Sequence, residues 1–283
     1  MGIFDFIKKA STPQESFAPI QNSPEVLTTR LLYFERPSID AAKILQELKP
    51  VYTGVESAGE GNTLLFFFPE LKINLSDASI PAQLTLLNSE GSKTSNIEES
   101  SLQQNWHWEE ATHIAQQCNY EIFISDLMSR SLDYKVRADL YLNFLGALIK
   151  VTNPQAIHSL NCQKLILPED LVLDSATRNR EDLHGLVNVR LFNINDGQEG
   201  EILMDTIGMH SLGLPDLQIK FTGLDENEVA GLLWNYAYYI YENGDVIKSG
   251  NTLQGLSEAS KWKSEKQPSL VDPERIVINI LVD

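Results

Sequence analysis

One short segment of the sequence combines residue types that acid–base chemistry or ligand recognition requires. It reads TIGMHSLGLPD from Thr206 to Asp216, and its single histidine, His210, has two carboxylates nearby, Asp205 and Asp216. A histidine held by a carboxylate can serve as a general base or as a recognition residue. The simpler alternative is a histidine that only hydrogen-bonds its own turn, because one isolated histidine signals chemistry weakly.

Local patterns predict the elements that position this segment. Two glycines and a proline predict a tight turn, and the flanking runs, Glu201 to Thr206 and Leu217 to Thr222, predict strands. Asp225, followed three residues later by Glu228, predicts the start of a helix. The residues that we expect to form a binding surface here are Gly208, Met209, His210, Gly213, Asp216, Glu226 and Glu228.

The sequence contains no complete metal, nucleotide or hydrolase motif. Its two cysteines, Cys118 and Cys162, are far apart in the chain and are expected to be reduced. The stretch from Glu242 to Gly255 is rich in carboxylates, amides and glycines, which could surround a hard cation. A helix end followed by a hairpin turn accounts for the same residues. We therefore predict neither a metal site nor a cofactor.

The net charge of −17 is the strongest global signal in the chain. It argues against nucleic-acid binding, which requires a basic surface. Between Asp196 and Asp245 the sequence has ten acids and one base, Lys220. Such a stretch predicts either a solvated, solubilising surface or a docking surface for a basic protein partner.

The sequence also predicts where the protein is found. No apolar run approaches the roughly 20 residues that a membrane span requires, and the first residues lack the pattern of a signal peptide. The glycine at position 2 does not lie in a myristoylation motif, because position 6 is Phe6. We therefore expect a cytoplasmic protein that does not bind membranes.

Strand-like and helix-like segments together predict an α+β fold, with mixed, mainly antiparallel sheets covered by helices in two closely associated halves. We expect an N-terminal segment and linker over residues 1–25, a first half over 26–173 and a second half over 183–283. The polar stretch from Asp174 to Asp182 is the predicted boundary. Asn88 to Gln104 lacks apolar periodicity and is predicted to be a mobile surface loop.

With these elements in place, the chain resembles a bacterial family known as domain of unknown function 4261. The resemblance rests mainly on the Thr-Ile-Gly-Met turn, on Leu212 to Asp216, on the helix that follows, and on Gly250 to Leu253. In the last of these the family tends to have an aspartate where this chain has Asn251. Earlier segments such as Leu27 to Phe34 are also similar, so the resemblance covers most of the chain after the linker. It implies a fold and leaves the activity open.

Three function classes follow from these observations. The hypothesis that we favour is a non-enzymatic, acidic protein-binding module, for which one variant is an immunity-like neutraliser of a basic bacterial toxin. A short similarity of the glycine turn to suppressor-of-fused-like proteins, which include toxin-immunity members, supports that variant. The second class is an enzyme or small-molecule-binding protein whose pocket lies near His210, with Asp205 or Asp216 orienting the ring. The third is a self-associating structural subunit.

Overall fold

The computed structural model of the chain describes residues 22–88, 97–171, 180–194 and 197–282. They form two compact units, residues 25–186 and the chain from Val187 onward together with residues 22–24. Each unit contains one sheet. The predicted limits at 1–25, 26–173 and 183–283 stay predictions, because most of the predicted linker and of the boundary near Asp174 lies outside the described residues.

The first unit is built on a seven-stranded sheet in which all described strand pairs are antiparallel. Its strands are β1 (Thr28–Tyr33), β2 (Glu56–Ala58), β3 (Thr63–Asn74), β4 (Ser79–Asn88), β5 (Tyr120–Met128), β6 (Ala156–Ser159) and β7 (Lys164–Ile166), in the spatial order β2-β3-β4-β5-β1-β6-β7. Its helices are α1 (Ala41–Leu48), α2 (Glu99–Gln103), α3 (Ala111–Gln117) and α4 (Tyr134–Thr152).

Helix α4 lies at the centre of the first unit's core. Asp133 caps it by accepting hydrogen bonds from main-chain nitrogens of the first turn, as its place before an apolar run predicts. The Phe144 ring meets Phe66 of β3 edge-on, with ring centroids 5.0 Å apart. Arg137 Nε lies 2.5 Å from Oδ2 of Asp126 on β5, and both side chains are buried. An ion pair therefore ties α4 to the sheet.

The second unit is built on a six-stranded sheet of mixed direction. Its strands are β8 (Asn188–Asn193), β9 (Ile202–Ile207), β10 (Asp216–Phe221), β11 (Thr252–Gln254), β12 (Lys261–Pro268) and β13 (Ile276–Leu281), in the spatial order β11-β12-β13-β10-β9-β8. Strands β10 and β13 are parallel, and the other neighbours are antiparallel. Helix α5 (Glu226–Asn243) packs against β8, β9 and β10.

These observations confirm the predicted α+β fold with mainly antiparallel sheets. The predicted start of α5 is also confirmed, because Oδ1 of Asp225 accepts from the main-chain nitrogens of Asn227 and Glu228 at 3.0 Å. No helix of the described residues is long and apolar enough to cross a bilayer.

Three local predictions were wrong. Helix α2 lies within the predicted loop from Asn88 to Gln104, of which residues 89–96 are outside the described part of the chain. Sequence patterns predict two strands, Asn62 to Phe68 and Leu71 to Leu75, but they are one strand, β3, with an irregular register between Phe68 and Lys72. The spacing of apolar residues also predicts that the helix at Ala111 includes His107 and Trp108, but both residues precede α3. Long-range contacts override the local pattern at α2, where Oγ of Ser101 lies 3.0 Å from Nε2 of His158 and Oδ1 of Asn105 accepts from the main-chain nitrogen of Leu165 at 2.8 Å.

Candidate functional site

The segment from Asp205 of β9 to Asp216 of β10 carries most of the predicted site residues. Gly208 and Gly213 have φ angles of 127° and 82° and enclose a short 3-10 helix, Met209–Leu212. Positive φ angles of this kind favour glycine. A Cβ atom at Gly213 would also lie 3.1 Å from Cγ of Pro24. Both the backbone angle and the close approach of Pro24 therefore favour glycine at position 213.

Asp216 is the centre of the hydrogen-bond network beneath this turn. Its Oδ1 accepts from Oγ1 of Thr206 at 3.0 Å and from the main-chain nitrogen of Met209 at 3.1 Å. Its Oδ2 lies 2.8 Å from Nδ1 of His210 and accepts from the main-chain nitrogen of the same residue at 3.2 Å. Arg275 Nε donates to the same oxygen at 3.1 Å. One carboxylate therefore orients the whole turn.

Asp205 forms the second half of the network, with two arginines. Arg190 of β8 donates from Nε and Nη2 to the two carboxylate oxygens at 2.9 and 2.6 Å. Arg275, just before β13, donates from Nη2 to Oδ2 of Asp205 at 2.6 Å and to the carbonyl oxygen of Thr206 at 2.8 Å. Two buried cations thus face two buried anions, an arrangement in which the loss of one partner leaves an uncompensated charge.

The pKa values of this network favour its charged forms. Burial alone would raise the pKa of Asp216, but the hydrogen bond and charge of His210 and the charge of Arg275 outweigh it and hold that pKa below its usual value. Burial would lower the pKa of Arg275, but the charges of Asp205 and Asp216 raise it above its usual value. Both groups are therefore ionised at neutral pH.

The enzyme hypothesis requires His210 to be exposed inside a pocket, and the structure places it elsewhere. A base that reacts with substrate must reach a concave, accessible site, whereas His210 is only 4% exposed. Its ring contacts include Asp216, Oγ of Ser211 and the main-chain nitrogen of Gly208. A catalytic pocket around His210 is therefore not retained. The turn residues among the predicted set cluster in this buried network, while Glu226 and Glu228 lie on the exposed first turn of α5.

The acids between Asp196 and Asp245 do not form one exposed surface. Asp205 and Asp216 are buried in the network, and Asp196 lies outside the described residues. Two further acids pair with lysines: Glu201 with Lys220 at 3.2 Å, and Asp245 with Lys266 at 2.5 Å. The remaining acids are exposed: Glu199, Asp225, Glu226, Glu228 and Glu242. The concentrated charge of the sequence is therefore divided between the core and the surface.

The solvent-facing side of α5 combines acids with aromatic side chains. We call it the α5 outer face and define it by Glu226, Glu228, Gly231, Trp234, Tyr238, Tyr239 and Glu242. The rings of Trp234 and Tyr238 lie 5.9 Å apart with an interplanar angle of 32°, and Tyr239 is 48% exposed. No atom lies within 4 Å of a Cβ placed at Gly231. The α5 outer face is thus exposed at its acids, at Gly231 and at Tyr239, and half-buried at Trp234 and Tyr238.

A groove of about 450 Å³ lies between the second half of α5 and the edge strand β11. It is lined by Tyr236, Tyr239, Val246, Ile247, Asn251, Thr252, Leu253 and Gln254. The hydroxyl of Tyr236 donates to the carbonyl oxygen of Gln254 at 2.8 Å across it. The volume lies within the range of ligand-binding clefts.

The polar stretch from Glu242 to Gly255, considered above for a cation, makes internal contacts instead. Nζ of Lys266 bonds the carboxylate of Asp245, and the main-chain nitrogen of Lys248 donates to Oδ1 of Asn251 at 2.9 Å. These contacts occupy oxygens that a hard cation would need. Across the ranges that the structure describes, no group of three or more histidine, cysteine or acidic side chains could hold a metal ion.

The first unit contains a cluster of titratable residues that sequence patterns did not indicate. Nζ of the buried Lys164 donates to Nδ1 and to the carbonyl oxygen of His184 at 3.1 and 3.0 Å. The His107 ring lies edge-on to His184, with centroids 5.7 Å apart. Burial lowers the pKa of Lys164 to about 8, and burial with the Lys164 charge lowers those of His184 and His107 to about 3 and about 4. The cluster joins β7 to the loop before α3.

The turn, the carboxylates of the network, α5 and the groove all fall within one segment of the chain. Residues 205–281 match the family model of DUF4261. The family is described as a domain of unknown function, and the match confirms the resemblance over this segment. The DUF4261 match excludes Arg190, and similarities before Asp205 stay predictions. The comparisons do not show the local similarity to suppressor-of-fused-like proteins. No curated protein and no solved structure matches the chain significantly.

Arg190 and Arg275 are the residues of the network that sequence reasoning missed. Arg190 is the only charged residue of β8, and Asp205 is the only charged residue of β9. Because a buried charge in a strand requires a partner, the opposite charges of Arg190 and Asp205 could have indicated that the two residues pair. Arg275 follows a Pro-Glu pair in a polar loop, where no comparable pattern identifies it.

Proposed function

We propose that this protein is a non-enzymatic, protein-binding module that docks a basic partner on the α5 outer face in the bacterial cytoplasm. The observation that carries the proposal is one helix that exposes several acids and the ring of Tyr239 beside the half-buried rings of Trp234 and Tyr238. Asp225, Glu226 and Glu228 are exposed at its first turn, and within the described ranges none of them is in an ion pair with a base. Tyr239 is exposed near the other end.

The acids alone have a simpler explanation, because acidic residues in the first turn stabilise a helix through its dipole. That explanation does not account for the neighbouring aromatic side chains. Trp234 and Tyr238 lie together on the same side of α5, and rings at a surface are typical of binding hot spots. Aromatic faces also attract lysine and arginine side chains. The α5 outer face therefore has two kinds of group that favour a basic protein.

The partner that we propose is a basic bacterial toxin, which the protein would neutralise by covering its surface. The net charge of −17 would speed the encounter with such a partner and select against acidic proteins. Under this proposal the buried network holds β9, β10 and β13 in place and takes no part in chemistry. A neutraliser of this kind requires neither a cofactor nor a metal.

The test begins with affinity capture by the full-length protein at low and at raised salt, read by mass spectrometry. The captured basic protein is then purified and its binding rates are measured. We expect the double variant Glu226→Lys/Glu228→Lys to lower the association rate about tenfold at low salt, because steering is electrostatic. The control, Glu60→Lys/Glu109→Lys, changes the net charge equally at exposed positions outside α5 and β11. Equal effects of both variants, or none, would remove the proposal.

A further inference from the structure

We infer that the groove between α5 and β11 takes an extended main-chain segment of the basic partner as an added strand on β11. The inference rests on the proposed function, which supplies the partner, and it assigns the partner's conformation. Strand addition to a sheet edge gives affinity through main-chain hydrogen bonds and specificity through alternate side chains.

Strand β11 is the last strand of its sheet and pairs only with β12 among the described strands. The main-chain nitrogen of Ser264 donates to the carbonyl oxygen of Asn251 at 3.0 Å, and that of Gly255 donates to Ser260 at 2.9 Å. The carbonyl group of residue 251 and the N–H group of residue 255 therefore point toward β12. Because these directions alternate along an antiparallel strand, the main-chain groups of residue 253 also point toward β12.

The same alternation turns the main-chain groups of Thr252 and Gln254 away from β12. Both residues line the groove. The carbonyl oxygen of Gln254 accepts the hydroxyl of Tyr236 at 2.8 Å. The side chains of Thr252 and Gln254 bond Lys263 and Lys261 at 2.7 Å on the face of the sheet, which leaves the edge itself clear. An extended segment in the groove would thus meet outward-facing donors and acceptors.

The contact with Tyr236 explains how this edge avoids pairing indiscriminately. Edge strands are protected by being short or covered, and β11 has three residues. The hydroxyl of Tyr236 covers only the carbonyl oxygen of Gln254, so the edge of β11 is only partly protected and another donor can replace the hydroxyl. An incoming strand replaces the hydroxyl with its own N–H group, and the tyrosine ring then packs against the strand.

The side of the groove opposite β11 is formed by α5, and its residues can contact the side chains at alternate positions of such a segment. Tyr236 and Tyr239 lie three residues apart on one side of α5, and Val246 is an exposed apolar residue at the end of the groove. Glu242 is exposed three residues after Tyr239 and places negative charge on the same helix. The segment that fits has an apolar side chain against the tyrosines and a lysine or arginine toward Glu242.

The first test uses a phage-displayed library of random linear peptides, selected on the full-length protein. An enriched peptide is synthesised, and its affinity is measured after each main-chain nitrogen is methylated in turn. Strand addition predicts a loss of about tenfold or more at every second position, because only alternate N–H groups face β11. An absence of enriched peptides, or a sensitivity to methylation without this alternation, would overturn the inference.

Two variants of β11 provide the second test. Thr252→Pro removes an outward N–H group without breaking a bond to β12 and should weaken the peptide about tenfold or more. Thr252→Val keeps that group and the branched shape, so its affinity should match the unchanged protein. Circular dichroism and thermal unfolding show whether Thr252→Pro is folded, and the methylation pattern is decisive if it is not.

The two proposals fail in different ways. Alternate methylation sensitivity with no response to salt or to Glu226→Lys/Glu228→Lys would sustain strand addition and remove the charged docking surface. A salt-sensitive basic partner whose dissociation rate is equal for Thr252→Pro and Thr252→Val, with both variants folded, would sustain the docking surface and remove strand addition.

Discussion

Arg275 Nη2 lies 2.6 Å from Oδ2 of Asp205, which is 70 residues earlier in the chain, and both side chains are buried. The contact joins the start of β13 to the end of β9. Around it the core of the second unit contains a buried charged network in addition to its apolar side chains. That core positions the glycine turn and the strands next to α5.

Replacement of Arg275 by methionine should lower the free energy of unfolding by about 3–5 kcal/mol, because Asp216 and Asp205 each lose a buried cationic partner. Chemical denaturation measures the change. The control is Lys220→Met, which removes the partly exposed pair with Glu201 and should cost less than about 1 kcal/mol. Similar losses for the two variants would show that the buried network contributes little.

Substitution of Gly213 by alanine should destabilise the protein more than the same change at Gly223. Both glycines have positive φ angles, 82° and 72°, so each variant carries backbone strain of about 1 kcal/mol. Only at position 213 does the new Cβ approach another residue, Pro24. Thermal unfolding of the two variants separates the effect of backbone strain from that of the contact with Pro24. Equal losses of stability would mean that Pro24 moves away without cost.

Stability should fall as the pH decreases from about 6.5 to 4, partly because of His158. This residue is 2% exposed, and burial, with the charge of Arg30, lowers its pKa from 6.5 to about 4. Between these values the unfolded chain binds a proton that the folded protein does not. The stabilisation from neutral His158 is therefore complete above pH 6.5 and is lost progressively as the pH falls to about 4. The shift corresponds to about 3 kcal/mol.

Denaturation curves across this pH range for His158→Gln should show a shallower dependence than those for the unchanged protein. His113→Gln, which alters an exposed histidine, serves as the control and should keep the original slope. The lowered pKa values of His107 and His184 act in the same direction, but they are common to both variants. An unchanged slope for His158→Gln would mean that His158 is not buried as described.

Gly231→Ala should raise the free energy of unfolding by about 0.5–1 kcal/mol, because glycine in a helix interior is entropically unfavourable and the new methyl group meets no other atom. Gly244→Ala is the matched comparison. Its Cβ also meets no atom, but its φ angle is 78°, so it should be destabilising. Thermal unfolding measures both, and a loss of stability for Gly231→Ala would show that the α5 outer face is covered.

Sequence patterns predicted α5 and its flanking strands well, because caps, apolar periodicity and glycine turns are local signals. Asp225 lies where a cap was expected, and β9 and β10 lie within one residue of their predicted positions. Strand β12 was not predicted. Its sequence, KWKSEKQP, buries only Trp262 and Ser264, so it lacks the apolar content that identifies a strand.

The candidate site shows where local patterns stop being informative. Asp205, Asp216 and His210 were chosen because they are close in sequence, and the structure places them in the core. Their arginine partners come from β8 and from the loop before β13. A count of charges along the sequence assigned these acids to a surface, since it cannot include bases that arrive from elsewhere.

The sequence by itself determined the fold class, the glycine turn, the capped helix and the resemblance of the segment from Asp205 to Leu281 to the DUF4261 family model. Each of these depends on interactions between residues a few positions apart, which a pattern records directly. Only the tertiary structure decided which acids are neutralised, which remain exposed on α5, and that β11 forms an edge beside it. Those properties depend on strand order and on ion pairs between distant residues, and both arise only when the chain packs.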